Sequence, residues 1–522
     1  MSQNIKPRAY QEEIFQSCKD KNCLVILPTG LGKTLIALML AIERQRKYPE
    51  EKILFLAPTR PLAEQHLNYF KKHLPPLYAD MQLFTGKVQA ETRRKIWQTA
   101  DIIFSTPQCI ANDLRNNLYD LKNVSLLIED EAHRCIKNYD YTYVVEVYKK
   151  QAIHPRILGL TASPGSEKEK IKQICKNLGI ETVEIRTRES DDVKEYLQEL
   201  KFEIIKVDFP QELEEIRQLL KIIYNKKIEE LKNRKLLFEI PTKRNLLELQ
   251  GRIMRAISSG NKNFNLFSGA SACAQTIKLQ HALELLETQT LSSFQNYMQD
   301  LFSQSEKKQS RAVQQIVKQP SFNAAYIKTI ELVGKGIEHP KLAKLKEIVQ
   351  EEMKPRTKII VFSQYRNTVT KICKTLNSIE GVNAKVFVGQ AKKENKSGEY
   401  TGLSQKEQQE MLHDFAAGKI NILCATSIGE EGLDIPEVNA VIFYEPVPSE
   451  IRKIQRAGRT ARLIKGKLII LITKKTRDES YYWAAFHKEK KMHQAIQDIQ
   501  EDFNNENNEE EQERKQKSLK EY

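Results

Sequence analysis

Short apolar runs recur along the first two hundred positions, and amphipathic stretches separate them. CLVIL (23–27), KILFLAP (52–58), ADIIFST (100–106), VSLLIED (124–130) and RILGLTA (156–162) are apolar at successive positions, as a strand covered on both faces would be. The segments 34–46 and 61–73 between them carry helical amphipathic patterning. That alternation predicts a parallel sheet with helices on both sides. The same texture returns in TKIIVFSQ (357–364), NAKVFVG (383–389), INILCAT (420–426), NAVIFYEP (439–446) and KLIILIT (467–473). Between about 208 and 338 strand signals vanish and long helical patterns dominate, as in ELEEIRQLLKIIYNKKIEELKNRKLLFE. The expected architecture is therefore α/β, with two parallel-sheet domains and an all-helical insertion. The expected boundaries are 1–207 for the first domain, 208–338 for the insertion and 339–498 for the second domain, which the helix HPKLAKLKEIVQEEM (339–353) opens. The charged, low-complexity stretch 499–522 reads as disordered or as a frayed helix.

Charge narrows the function classes. The 522 residues carry 83 Lys/Arg against 68 Asp/Glu, a net charge of +15. A polyanionic partner follows, with nucleic acid first; a merely basic soluble protein is the plainer alternative. The insertion is mildly positive, with 19 Lys/Arg and 13 Asp/Glu over 209–340. No run of about 18 apolar residues suggests a membrane span. The opening residues MSQNIKPRAYQEE lack the apolar core of a secretory signal. Eight cysteines without a C-x-x-C pair read as reduced intracellular thiols, and nine histidines show no zinc-binding spacing.

Candidate chemistry begins at LPTGLGKT (27–34), between a predicted strand and a predicted helix. Thr29, Gly30 and Gly32 belong to a tight turn whose backbone N–H groups can face a phosphate, helped by the positive end of the helix. Lys33 brings a point charge to β- and γ-phosphates, and Thr34 a hydroxyl to Mg²⁺. LLIEDEAH (126–133) supplies acids at the end of a strand. Asp130 would hold Mg²⁺ and Glu131 would act as general base on water; a pair of capping acids at a strand-to-helix turn is the alternative. Gln11, about twenty residues before Lys33, has an amide able to pair both edges of adenine. Late in the chain, IQRAGRTAR (454–462) spaces Arg456, Arg459 and Arg462 three apart, on one face if helical.

These motifs form an ordered set that resembles superfamily 2 helicases: APTRPLAEQH (57–66), STPQ (105–108), DEAH (130–133), TAS (161–163), ATSIGEEGLDIPE (425–437) and QRAGRTAR (455–462). FVGQA (387–391), GLSQKEQQEMLHDF (402–415) and VIFYEPVPSEIRKIQRAGRT (441–460) look more specifically like archaeal Hef and its Fanconi-anaemia M-type relatives, DEAH-box proteins with a thumb-like helical insertion. One departure is Ala461, where the family reads a second Gly. ERK at 513–515 echoes a nuclease signature, but it lacks the preceding strand and Asp, and no nuclease domain is expected.

The resemblance implies two RecA-like domains that sandwich ATP and Mg²⁺. Arg459 and Arg462 would stabilise charge on the γ-phosphoryl oxygens, with Gln455 at the phosphate or its water; an arginine finger is worth about 10³–10⁵ in rate. Gly432 and Asp434 would line the cleft, Asp434 near the ribose. His133, Thr161 and Ser163 would couple nucleotide state to domain contact. Thr59, Arg60, Thr106, Pro107, Gln364, Thr426 and Ser427 would hold a sugar–phosphate backbone, and Arg252, Arg255, Lys262 and Lys278 would add a basic wall. The implied function is an ATP-dependent DNA helicase or translocase on forked or branched DNA, in repair and fork restart. A separate structure-specific nuclease or a sliding clamp is the implied partner, and the implied setting is cytoplasmic and nucleoid-associated in an archaeal-like cell. The alternatives are a duplex-RNA-stimulated ATPase and a branched-DNA scaffold that recruits a nuclease.

Overall fold

The computed structural model describes residues 6–390 apart from 76, 138, 198, 261 and 262, then 402–426, 435–449, 452, 456, 460 and 465–520, with side chains to 503. Two parallel sheets organise the chain. The first comprises β1 (Cys23–Ile26), β2 (Lys52–Leu56), β3 (Met81–Phe84), β4 (Ile102–Ser105), β5 (Val124–Asp130), β6 (Ile157–Thr161) and β7 (Thr182–Ile185), in the order β3-β4-β2-β5-β6-β1-β7. The second comprises β8 (Leu200–Val207), β9 (Ile359–Phe362), β10 (Ala384–Phe387), β11 (Ile422–Ala425), β12 (Ala440–Phe443) and β13 (Gly466–Thr473), in the order β10-β11-β9-β12-β13-β8. Central strands such as β4 and β5 are buried along their whole length, which explains their unbroken apolar runs. Apolar cores lie on both faces of each sheet.

Two expected boundaries move. β8 precedes residue 208 yet pairs with β13 along its whole length, from Leu200 opposite Gly466 to Val207 opposite Thr473. The first unit therefore ends before residue 200, and β8 belongs to the second sheet. The terminal helix Arg477–Lys520 is continuous where 499–522 was expected to be disordered or frayed. Its Met492, Ala495, Ile496 and Ile499 are buried in the core of the first unit, so it straps the second unit back onto the first.

Between β8 and β9 the described residues form seven helices; the first six, from Gln211–Asn233 to Pro320–Gly334, make a bundle, and the seventh, Pro340–Glu352, packs in the core of the second unit. Polar contacts fasten this bundle to the second unit. Ser363 Oγ donates to Gln289 Oε1 (3.1 Å), and Ser293 and Thr368 share a hydroxyl contact of 3.1 Å. The buried Lys341 ammonium donates to Thr288 O (2.6 Å) and to Asp478 Oδ2 (2.8 Å). All eight cysteines are buried and unpaired. Among the described residues no helix is long and apolar enough to cross a membrane.

Candidate nucleotide and nucleic-acid site

Ligands of open parallel sheets gather beyond the carboxyl ends of the strands, and the predicted residues lie there. β1 leads into the phosphate loop, which ends where the helix Lys33–Lys47 begins. Gly30 and Gly32 take φ of 86° and 85°. A Cβ on Gly32 would stand 2.2 Å from Gln11 Nε2, so side-chain space and backbone both demand glycine there. The Lys33 ammonium donates to Leu27 O (2.8 Å) and closes the loop on itself. Thr29 lines a cavity of about 580 Å³ between the loop, Ala162, β8 and the terminal helix.

Gln11 packs against the loop from the helix Ala9–Asp20. Its Nε2 donates to Leu31 O (3.0 Å), beside the Tyr10 hydroxyl on the same oxygen (2.7 Å), and its Oε1 accepts from Arg8 N (2.9 Å). One donor and one acceptor position of the amide are thus engaged by protein, and one of each remains.

Asp130 closes β5, and Glu131 follows with φ 53°, a left-handed conformation that is strained for a residue with a side chain. His66 Nε2 lies 2.8 Å from Asp130 Oδ2, and the Tyr141 hydroxyl donates to Asp130 O (2.7 Å). Burial works to raise the Asp130 carboxyl, but the His66 ring and the Lys33 ammonium outweigh it and hold the group below the usual carboxylate range. The ionised carboxylate at the end of β5 and the Thr34 hydroxyl in the first turn of the helix after β1 are hard-oxygen donors of the kind suited to Mg²⁺, which takes most of its remaining ligands from water and phosphate. No three His, Cys, Asp or Glu groups among the described residues are placed to hold a metal ion together.

His133, Thr161 and Ser163 form one chain of contacts. His133 Nδ1 stands 3.2 Å from Glu131 Oε2 and 3.2 Å from Thr161 Oγ1, and Ser163 N donates to that same Thr161 oxygen (3.2 Å). The chain then leaves the first sheet: Ser163 Oγ donates to Met492 Sδ (3.0 Å) on the terminal helix. Sequence reasoning assigned no role to Met492 or His66, nor to Tyr10 and Tyr141. His66 stands inside the quoted box 57–66, but no spacing rule ties it to an acid 64 positions on. Met492 lies in a stretch whose polarity hides its apolar stripe.

Thr59 and Arg60 follow β2, and Thr106 and Pro107 follow β4, each pair opening a helix. The buried Thr59 Oγ1, Arg60 Nε and Arg60 Nη1 find no hydrogen-bond partner among the described residues. In the second sheet Gln364 follows β9, with its N–H on Glu445 Oε1, and Thr426 follows β11, its N–H bonded to Phe387 O (3.2 Å). A cleft of about 540 Å³ separates the two units, lined by Thr34, His66 and Tyr69 on one side and by Gln409 and Leu412 on the other.

Gln455, Arg459, Arg462, Gly432, Asp434 and Ser427 lie outside the described residues, as does Lys262. Arg456, expected on an arc facing a ligand, points inward instead. It is fully buried, with its guanidinium 4.9 Å from the Phe362 ring and 5.5 Å from the Phe443 ring. Aromatic faces of the second core hold that cation.

Comparison with known proteins agrees with this layout. Residues 8–171 match the DEAD/DEAH box helicase family and 340–464 the helicase conserved C-terminal domain. Residues 212–336 match a family described as "Putative ATP-dependent RNA helicase, helical bundle". The solved Hef helicase domain of Pyrococcus furiosus is 43% identical, with TM-score 0.68, over 92% of this chain and 98% of that one. "Putative ATP-dependent RNA helicase MJ1505" of Methanocaldococcus jannaschii is 38% identical over 95% of this chain and 61% of its own length. The Fanconi anemia group M protein homolog of Mus musculus is 31% identical over 94% of this chain and 26% of its own length. The chain thus spans less than two thirds of the length of these curated relatives. It belongs to the superfamily 2 helicases of the Hef and Fanconi-anaemia M type.

Proposed function

We propose that this chain is the motor of an ATP-dependent DNA helicase or translocase that acts on forked and branched DNA. The supporting observation is how one sheet edge is divided. β1, β5 and β6 lead into or carry Lys33, Thr34, Asp130, Glu131 and Thr161, while the neighbouring β2 and β4 lead into Thr59, Arg60 and Thr106, and buried polar atoms of Thr59 and Arg60 lack partners among the described residues. Fuel and track would lie side by side on one rigid support.

Lys33 and the loop N–H groups bind the β- and γ-phosphates, and the free positions of the Gln11 amide receive adenine. Thr34 and Asp130 hold Mg²⁺, which when bound neutralises phosphate charge. Glu131 takes the proton of the attacking water. From the second unit Arg459 and Arg462 meet the γ-phosphoryl oxygens, Gln455 the phosphate or its water, and Gly432 and Asp434 the nucleotide, Asp434 at the ribose. Those groups come together only when the cleft closes, so ATP favours closure and hydrolysis relaxes it. His133, Thr161 and Ser163 transmit the change. Thr59, Arg60, Thr106, Pro107, Gln364, Thr426 and Ser427 hold the sugar–phosphate backbone, which permits movement without reading sequence. A structure-specific nuclease or a sliding clamp would act beside such a motor in repair and fork restart.

The printed names of MJ1505 and of the helical-bundle family favour a second reading, an ATPase stimulated by duplex RNA. Steady-state ATP hydrolysis with forked, four-way and linear DNA and with duplex RNA separates the two. Forks should stimulate most. Equal stimulation by linear single strands would remove the branch preference, and stronger stimulation by duplex RNA would replace DNA with RNA.

A further inference from the structure

A single polar side chain interrupts the buried stripe of the helix Arg60–His73, whose inward positions are Ala63, His66, Leu67 and Phe70. The His66 ring packs 4.4 Å from the Phe55 ring on β2. Phe55 in turn meets Phe70 at 5.9 Å and Phe104 of β4 at 5.4 Å, so the ring is clamped by an aromatic cluster. Its Nε2 stands 2.8 Å from Asp130 Oδ2. An ionised carboxylate only accepts hydrogen bonds, so the ring N–H is the donor. Together with Thr34, His66 also lines the cleft between the two units.

The other end of this helix carries groups suited to phosphate. Thr59 is its N-cap and Arg60 its first residue. A threonine at that position ordinarily turns its oxygen onto the first N–H groups of the helix. The Thr59 side chain makes no such bond, and its buried Oγ1, like Arg60 Nε and Nη1, has no partner among the described residues. His66 follows Thr59 by two turns, about 10 Å along the axis. One short helix therefore joins unsatisfied donors at its start to the carboxylate that closes β5.

We propose that His66 is a positioning residue: its Nε2–H orients Asp130 toward the metal–nucleotide complex, and its helix links that orientation to phosphate contacts at Thr59 and Arg60. The proposal deepens the motor reading above, on which it rests. A carboxylate that binds a hard cation is aimed by the groups hydrogen-bonded to it, and losing one typically costs about 10–100-fold in metal affinity. Phosphate bound at Thr59 and Arg60 fixes the first turn of the helix and with it the place of the His66 ring. Nucleic acid and metal–nucleotide then favour the same helix position, and each tightens the other by one shared factor.

The test uses the full chain, Mn²⁺ as a paramagnetic substitute for Mg²⁺, a non-hydrolysable ATP analogue, and forked DNA present or absent. Electron paramagnetic resonance reads Mn²⁺ affinity. In the wild type DNA should tighten Mn²⁺ binding about fivefold or more. His66→Leu, which fills the space without a donor, should weaken Mn²⁺ binding about tenfold or more and abolish the effect of DNA. His66→Gln restores an N–H near the same place and should recover both. Denaturant unfolding checks each variant, and His66→Met replaces the leucine variant if that one does not fold. The proposal falls alone if the donor-free variant binds Mn²⁺ as tightly as the wild type, or if DNA still tightens it. It also falls alone if glutamine recovers nothing, since packing then explains the loss, or if DNA leaves wild-type Mn²⁺ affinity unchanged. If the wild type binds neither the Mn²⁺–nucleotide nor DNA, the motor reading beneath it falls too.

Discussion

Glu445 offers a quantitative test of how the second unit holds the backbone of Gln364 at the end of β9. The residue follows β12 and is buried, with Oε1 accepting the Gln364 N–H and Oε2 without a partner among the described residues. Burial lifts its carboxyl from 4.5 to about 7, although Lys341 and Arg456 pull the other way. The folded protein therefore keeps this proton to a higher pH than the unfolded chain does. Its stabilising effect is complete below the unfolded value and is lost as pH climbs through the folded one. At 1.36 kcal/mol per unit, the loss between pH 5 and pH 8 comes to about 2.5 kcal/mol. Glu445→Gln keeps an acceptor for Gln364 and removes the titration. Denaturant unfolding of both proteins at pH 5, 6.5 and 8 should give similar stabilities at pH 5 and a variant about 2–3 kcal/mol more stable at pH 8. Parallel pH profiles would refute the reasoning, because titrating groups that do not interact with Glu445 cancel in the difference.

Two further substitutions probe the framework. Gly32→Ala forces a side chain into a left-handed conformation and against the Gln11 amide; a stability loss of about 2–3 kcal/mol, with weakened ATP binding, should appear in unfolding and nucleotide titrations. Lys341→Met strands the fully buried Asp478 carboxylate and should cost about 3–5 kcal/mol in denaturant unfolding; adding Asp478→Asn should recover most of it.

The strands legible in the sequence are mostly inner ones: β1, β2, β4, β5 and β6 in the first sheet and β9, β11, β12 and β13 in the second, together with the edge strand β10. The three that carry no clear apolar run, β3, β7 and β8, all lie at sheet edges. Edges carry polar and charged positions that keep them from pairing with other chains, and β8 accordingly alternates between partly buried and exposed residues. The glycine turn between β1 and its helix and the acids that close β5 were legible as local features because each is a contiguous pattern. Relations across the fold were not. The pairing of His66 with Asp130, the seat of Arg456 between Phe362 and Phe443, and the contact of Ser163 with Met492 all join residues distant in sequence. The terminal helix was misjudged because a polar, low-complexity end follows the buried stripe of Met492, Ile496 and Ile499. Burial there is decided by what the helix meets, not by its own periodicity.

The central claim is that ATP is split at the end of β5 by Glu131 acting on water while Lys33 and its loop hold the phosphates. Measuring ATP affinity and steady-state hydrolysis for Glu131→Gln, with forked DNA present, tests it most directly. Nucleotide affinity should stay close to that of the wild type while turnover falls by about 10²-fold or more. Undiminished turnover in that variant would contradict the account.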